Sequence, residues 1–383
     1  MQTPTLGPHP LPNLRSITWW DHSWDSLPFL RLFLNPGLVD VDIRFPDNNL
    51  HVYRRATISL IPARDLTDLR LQRMGPADPL SMDAVYNLLE QASETLRSVD
   101  LGGDPSVAII EKLLQLPNLR HLDVILPETR IPPPAVVFPS LEELIVSYGE
   151  AASWVHVLRN IPNPALRELQ INFSGSSPAY FQTLGPSLLD ANVDKTLKSL
   201  KCICKDGILL TEAGLRPFIS FGRLTKLHLN SPCTEERCNF QLNDSIISEL
   251  AAALPRLTSV ELGGTPCKVP TSDVTISSLV ALSTHCIDLD SLQLHFNAKD
   301  IIYHNLSANS QTHKFSCKLR SLAGGSQPLP TNHDEILLVT FTILRIFPHL
   351  ETISKSRQNW DQVRRAVLLF YMAPKTIPLL TAN

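Results

Sequence analysis

Histidines and carboxylates in this chain keep recurring inside short leucine-rich strings. His121, His228 and His295, with Asp123, Glu143 and Glu261, occupy the polar positions of those strings. A histidine beside a carboxylate can move protons as an acid–base pair. The pattern places His121 next to Glu143, whereas His228 and His295 stand in separate strings, so solvent-facing positions are expected rather than a catalytic centre. Cys202-x-Cys204 and Cys233-x4-Cys238 could together offer four thiolates to zinc. Against that, Cys202 fills the last apolar place of its string, where a free cysteine acts as a small hydrophobe. No metal and no cofactor are expected. No Walker loop, H-E-x-x-H, G-x-S-x-G or G-x-G-x-x-G occurs. Gly263-Gly264 and Gly324-Gly325 follow strand-like runs and are expected to turn the chain tightly. The chain is not expected to be an enzyme.

The strings that carry these residues are copies of one unit, L-x-x-L-x-L. It appears as LPNLRSITW (11–19), LTDLRL (66–71), LRSVDL (96–101), LPNLRHLDV (116–124), FPSLEELIV (138–146) and ALRELQI (165–171). It continues as TLKSLKC (196–202), RLTKLHL (223–229), LPRLTSVEL (254–262) and DLDSLQL (288–294), with weaker copies at 38–43, 319–324 and 349–353. The first leucines run from Leu14 to Leu350 at spacings of 22 to 33 residues. That is at and above the roughly 20–29 residue period of leucine-rich repeats. About one residue in six is leucine, well above ordinary usage.

Alternation sets the local structure. The last two apolar positions of each unit lie two apart and so share one face of a short strand, leaving the residues between them on the other face. Helical stretches are expected between strands at Met82 to Ala92, Ser106 to Leu116, Ala151 to Asn160 and Glu212 to Phe221. Others are expected at Ile246 to Leu254, Ile276 to His285 and Glu335 to Phe347. Ser26 to Leu34 reads as the helix of the first coil. Pro117, Pro139, Pro255 and Pro348 fall just after helical runs and end them. Strand, loop, helix and return make one right-handed coil. The expected fold is therefore an α/β leucine-rich-repeat solenoid, a curved horseshoe with parallel strands on the concave side and helices on the convex side.

A chain of 383 residues exceeds the usual size of one compact core, about 250–300 residues, which suits an array that grows along an axis. The expected organisation is a proline-rich leader at 1–12, about 13 repeats over 13–355, a capping helix within 356–373, and a tail at 374–383. The cap rests on Trp360, Val363, Val367 and Phe370, apolar at helical spacing. A membrane-surface helix would carry more Lys and Arg on its polar side.

Composition narrows the partners. Lys+Arg 34 against Asp+Glu 37 gives a net charge of -3, which disfavours nucleic acid and anionic membrane, both of which want a basic surface. No apolar run approaches the roughly 18–20 residues of a membrane helix, and the first twelve residues have neither the basic nor the apolar part of a secretory signal. Seven cysteines, an odd number spread from Cys202 to Cys317, do not form a disulfide framework, so cytoplasm or nucleus is expected. The sequons at Asn172, Asn243 and Asn305 are then chance matches.

What remains is the row of polar side chains on the strand face. It reads Asp40, Asp42, Arg70, Asp100, His121, Asp123, Glu143, Ile145, Gln170 and Asn172, then Lys201, Ile203, Lys226, His228, Asn230, Glu261, Gln293 and His295. Acids dominate its first half and Lys201, Lys226 and His228 follow. Such a surface suits a protein ligand better than a small molecule. Within it, Asp100, His121, Asp123, Glu143, Gln170, Asn172, Lys201, Lys226, His228, Glu261, Gln293 and His295 are the candidate binding residues. A monomer is expected.

LPNLRSITW, FLRLFLNPGLVDVDI, LRPFISFGRLTKLHL, LAAALPRLTSVELGG, LVALSTHCIDLDSLQLHF, IFPHLETI and NWDQVRRAVLLF together resemble the leucine-rich region of fungal, mushroom-type F-box proteins. The resemblance runs over nearly the whole chain, with a helix ending in L-P or F-P before each strand. It implies a substrate receptor of a cullin–RING ubiquitin ligase, in which the F-box docks on a Skp-type adaptor and the repeats hold the substrate. Only 13 residues precede Leu14, fewer than the three-helix F-box needs, so that motif is expected upstream of this sequence or lost. Ser26-Leu27-Pro28-Phe29-Leu30 echoes its opening. The expected function is non-enzymatic protein binding, either as such a receptor or as a free-standing scaffold or inhibitor-like binder. The repeats lack a regular asparagine after the strand, so their turns must satisfy backbone groups in another way.

Overall fold

A computed structural model describes residues 11–20, 27–45, 63–73, 79–102, 105–125, 140–147, 165–173, 180–205, 207–233, 239–263, 273–298, 316–324, 332–354 and 360–372. They fall into two compact units, one of residues 1–174 with 190–196 and one of residues 175–189 with 197–383. Each of the thirteen leucine strings forms a strand, seven in the first unit and six in the second.

In the first unit the order is β1 (Ser16–Trp20), α1 (Leu27–Phe33), β2 (Asp40–Phe45), β3 (Asp68–Arg73), α2 (Pro79–Gln91), β4 (Ser98–Leu101), α3 (Val107–Leu114), β5 (His121–Ile125), β6 (Glu143–Ser147) and β7 (Glu168–Phe173). Strand pairs with strand in chain order and always in parallel. Consecutive parallel neighbours one repeat apart are the signature of a coil that returns on the same side each time. The expected helix at Ala151 to Asn160 lies outside the described residues, as do the leader up to residue 10 and the tail from 373.

The second unit contains α4 (Tyr180–Asp190), whose last residue falls in the first unit, then β8 (Ser199–Cys204), β9 (Leu210–Thr211), α5 (Glu212–Leu215), β10 (Lys226–Asn230), β11 (Phe240–Gln241), α6 (Asp244–Ala253) and β12 (Ser259–Leu262). It ends with α7 (Ile276–His285), β13 (Ser291–Leu294), β14 (Ser321–Gly324), α8 (His333–Ile346), β15 (Thr352–Ile353) and α9 (Trp360–Met372). Strands β8, β10, β12, β13, β14 and β15 pair in that order, all parallel, and β9 with β11 forms a separate small ladder. The fold is an α/β leucine-rich-repeat array.

Inward leucines build the core of each unit. Leu69, Val99, Leu144 and Leu169 in the first, and Leu200, Leu227, Val260 and Leu292 in the second, are at most 2% exposed. Each pairs with its counterpart one coil away, so a leucine ladder runs across the strands. Helices supply the other side of that core. In α6, Ile246, Ile247, Leu250 and Ala251 are buried, on the helical spacing read from the sequence. Residue Leu254 closes α6 with its N–H on the Leu250 carbonyl, and Phe347 closes α8 in the same way on Ile343. A proline follows each, where the helix cannot continue.

The strand entries, at the opposite end from the missing asparagine, are held by a carbonyl that serves twice. At each strand entry, one backbone oxygen accepts two successive N–H groups from the next coil. Thr225 O takes Thr258 N at 2.7 Å and Ser259 N at 3.1 Å, and Arg97 O takes Arg120 N at 2.8 Å and His121 N at 3.0 Å. Both lone pairs of a carbonyl are thereby used, and the entry turn needs no side chain. Threonines add a third bond, as Thr258 Oγ1 does to Thr225 O at 3.0 Å.

Several expectations are corrected. Glu212 to Phe221 is not one helix: it is a single α-turn, α5, followed by a 3-10 segment over Arg216–Ser220. Pro217 removes an N–H from the ladder at that point, which breaks the α pattern. Helix α4 was not foreseen, because Gly185 and Pro186 lie inside it. Ser187 Oγ donates to the Thr183 carbonyl at 2.7 Å. Gly185 is needed there, since a Cβ would stand 2.5 Å from Pro217 Cβ. Helix α9 lies against β15 and α8. It buries Trp360, Val363 and Val367, but Phe370 is 52% exposed, one turn beyond the end of the covered stripe.

Candidate functional site: the polar strand face

With leucines committed to the core, the alternate residues of every strand line an open face in register. In the first unit, one row reads Asp42, Arg70, Asp100, Asp123, Ile145 and Gln170, and the row beside it reads Asp40, Asp68, Ser98, His121, Glu143 and Glu168. The His121 Nδ1–H donates to Glu143 Oε2 at 2.8 Å, so the neighbours foreseen from the sequence do meet. Asn172 Nδ2 donates to Ser147 Oγ at 3.0 Å and Gln170 Nε2 to Asn172 Oδ1 at 3.1 Å.

Asp100 and Asp42 depart from the solvent-facing expectation, each at 8% exposure. Gln72 covers Asp100, its Nε2 donating to Asp100 Oδ2 at 2.7 Å. Asp123 is half-buried, and its carboxyl is pushed up to about 6. Burial is the main cause, the negative charges of Asp100 and Glu143 add to it, and His121 opposes it.

In the second unit the matching row is Lys201, His228, Glu261 and Gln293, in register across β8, β10, β12 and β13. His228 Nε2 lies 2.7 Å from Ser259 Oγ, and His228 Nδ1 lies 3.8 Å from Glu261 Oε2. Glu261 also accepts from Asn230 Nδ2 at 2.8 Å. The order serine, histidine, glutamate matches that of nucleophilic hydrolases, but the spacing differs. The His228–Glu261 separation is too long for a hydrogen bond. The Ser259 N–H is spent on the Thr225 carbonyl, so it cannot help hold an oxyanion. Burial lowers His228, helped by Lys201 and Lys226, while burial raises Glu261. Burial thus works against charge on both groups, while Lys201 and the Asn230 hydrogen bond pull Glu261 the other way. Lys226 is exposed at the mouth of this row. Gln293 Nε2 donates to the Gly263 carbonyl at 2.9 Å.

His295 does not join the row. It is 7% exposed, with its ring centroid 5.9 Å from that of Phe240 and its edge pressed against Gly263. The alternation was read correctly, yet the turn after β12 and the β11 strand cover the position. Gly263 adopts φ +139°, a conformation open to glycine, and any Cβ there would collide with the His295 ring.

Three of the four cysteines weighed as thiolates lie among the described residues. Cys202 and Cys204 both point into the core of β8, Cys233 is half-buried, and Cys238 lies outside the described residues. Burial drives the Cys202 thiol far up, with Cys204 adding to it. Among the described residues no group of three or more His, Cys, Asp and Glu is placed to hold a metal ion. Asn243, the middle sequon, spends its side chain on the N-terminus of α6, accepting from Ile246 N at 3.1 Å and donating to Glu212.

Sequence reasoning missed one feature, at the strand entries of the second unit. Thr258, Asp288, Asp290, Lys318, Arg320, His349 and Glu351 line a depression of about 820 Å³. Lys318 Nζ reaches Asp288 at 2.7 Å and Arg320 Nε reaches Asp290 at 2.6 Å, each pair bridging two coils. The signal was present, since opposite charges sit at the same place in successive copies. Their signs cancel, and the pairs are exposed, so they contribute little to stability.

No protein-family model matches the chain, and no curated protein matches its sequence. Among solved structures, the leucine-rich repeat-containing protein LegL7 from Legionella pneumophila is similar at 12% identity and a TM-score of 0.33, over 92% of this chain and 97% of that one.

Proposed function

We propose that this protein is a protein-binding repeat scaffold that grips another polypeptide on its polar strand face. The observation that carries the proposal is the register of mostly polar side chains on strands whose backbone groups are already used in the ladder. Lys201, His228, Glu261 and Gln293 are held side by side on adjacent strands, as are Asp100 and Asp123 on theirs, with Gln170 further along the row beyond Ile145. A surface fixed in this way loses little conformational entropy on binding. It also suits an extended ligand better than a small one, because it offers rows rather than an enclosed pocket. Repeat folds of this type typically bind rather than catalyse.

The finer proposal follows from the resemblance to mushroom-type F-box proteins. Here the repeats hold a substrate for a cullin–RING ubiquitin ligase, in the cytoplasm or nucleus, with a Skp-type adaptor joining through an F-box upstream of this sequence. The scaffold itself is a monomer.

Affinity purification from a native extract tests both levels. Tagged wild type and the charge reversals Lys226→Glu and Glu143→Lys are compared. A polypeptide retained by wild type and lost from either reversal supports the binding face. A full-length product that brings down a Skp-type adaptor and a cullin supports the ligase role. Recovery of a partner without them favours a scaffold with no ligase link.

A further inference from the structure

The first unit carries a feature that protein binding in general does not explain. Asp42 is 8% exposed, and its Oδ1 has no hydrogen-bond partner among the described residues. It stands on the open face, because Val41 and Ile43 on either side point into the core at 0% exposure. A buried carboxylate oxygen without a donor is costly and rare, so such an atom points to a donor supplied from outside. Arg70, its neighbour in the row, is exposed and forms no ion pair among the described residues. Next in the same row come Asp100 and Asp123, and the parallel row adds Asp40, Asp68 and Glu143.

We infer that this face of the first unit takes a basic, extended segment of a partner protein, with arginine or lysine side chains seated at Asp42 and at the Asp100–Asp123 pair. The inference rests on the protein-binding function proposed above and adds the partner's chemistry. A metal ion is a poor fit, since these carboxylates are not grouped to hold one. Asp42 and Asp100 are two strands apart, roughly 10 Å at ~4.8 Å per strand, too wide for one ion. Two basic side chains on an extended peptide, about 7 Å apart at their roots, can span that distance. A guanidinium offers five donors to oxygens that lack them.

Asp123 makes the contact sensitive to pH. Asp100 faces it from β4, Glu143 from β6 and His121 from its own strand, and its carboxyl titrates near 6. A bound cation favours the charged carboxylate, so binding takes the proton off and weakens as pH falls through that range.

The test uses the full chain and a fluorescent octapeptide of alternating arginine and serine, with an alternating glutamate and serine octapeptide as the opposite probe. Anisotropy at pH 7.5 is expected to show binding of the arginine peptide alone. Asp42→Asn and Asp123→Asn should each weaken it about tenfold, the loss of one charged hydrogen bond. Asp83→Asn on α2, the same change of charge away from the face, should leave it unaltered, and neither face variant should lower the melting temperature. Wild-type affinity should fall from pH 7.5 to 5, and Asp123→Asn should flatten that slope. Equal binding by all three variants, or preference for the glutamate peptide, overturns the inference. If a natural partner is lost on Lys226→Glu or Glu143→Lys but unaffected by Asp42→Asn and Asp123→Asn, only the basic-segment inference falls. If no substitution on the face affects any partner, the binding function falls with it.

Discussion

Asp123 holds its proton more tightly in the folded chain than in the unfolded one, and this has a measurable consequence for stability. Its carboxyl rises from 3.8 to about 6 on folding, burial being the largest cause and Asp100 the next. The raised value means the folded state binds more protons between about pH 4 and 6, so the stabilisation present below pH 4 is lost as pH climbs through 6. Asp123→Asn removes the penalty. It should raise stability by about 1 kcal/mol at pH 7.5, a figure reduced for partial exposure, and by nearly nothing at pH 4. Urea unfolding at the two pH values checks this, and an equal effect at both contradicts it. The sequence placed Asp100, Asp123 and Glu143 in the acid-rich half of the strand face, but did not show how deeply Asp123 is covered. Burial of Asp42 and Asp100 was equally hidden, because it depends on neighbours brought in by other coils, Gln72 for Asp100 among them.

Between coils, helix N-termini are tied to one another by side chains the leucine pattern says nothing about. Asn243 caps α6 and donates to Glu212 at the start of α5, while Asp244 accepts the Thr275 N–H at 2.7 Å at the start of α7. Asn243→Ala should cost about 1–2 kcal/mol, an ordinary cap loss. Asn243→Asp keeps the cap but sets a carboxylate against Glu212, and should recover only part of that. Thermal melts that rank Asp above Asn would contradict this account of the junction. Gly185→Ala should cost about 1–3 kcal/mol, because the added methyl drives α4 off Pro217. Circular dichroism melts would show it, and an unchanged midpoint would mean α4 sits differently. The strands could be read from the chain because alternation repeats thirteen times, and Leu227 and Leu229 announce their face without help. The helices were read less well. Pro217 shortened one to a single turn, Gly185 and Pro186 masked another, and Phe370 continued a periodicity that outran the surface it packs on.

On the proposed function the two kinds of strand position divide the molecule's work, core on one face and recognition on the other, and substitutions should divide in the same way. Leu227→Ala and Leu144→Ala, at 0% and 2% exposure, should each cost about 2–5 kcal/mol, whereas Lys226→Glu should change stability little and partner binding greatly. The reverse order in denaturant titrations would place the strands one residue out of register. The partner itself was not legible, since no single motif names it and the face works only as an assembly of coils. Site-specific photo-crosslinking tests the central claim most directly. A benzophenone amino acid is placed in turn at Gln170 and Gln293 on the strand face, and at Glu111 and Thr284 on helices α3 and α7. The account predicts that the purified partner crosslinks to the two strand positions and to neither helix position. Crosslinks confined to Glu111 and Thr284 would contradict it.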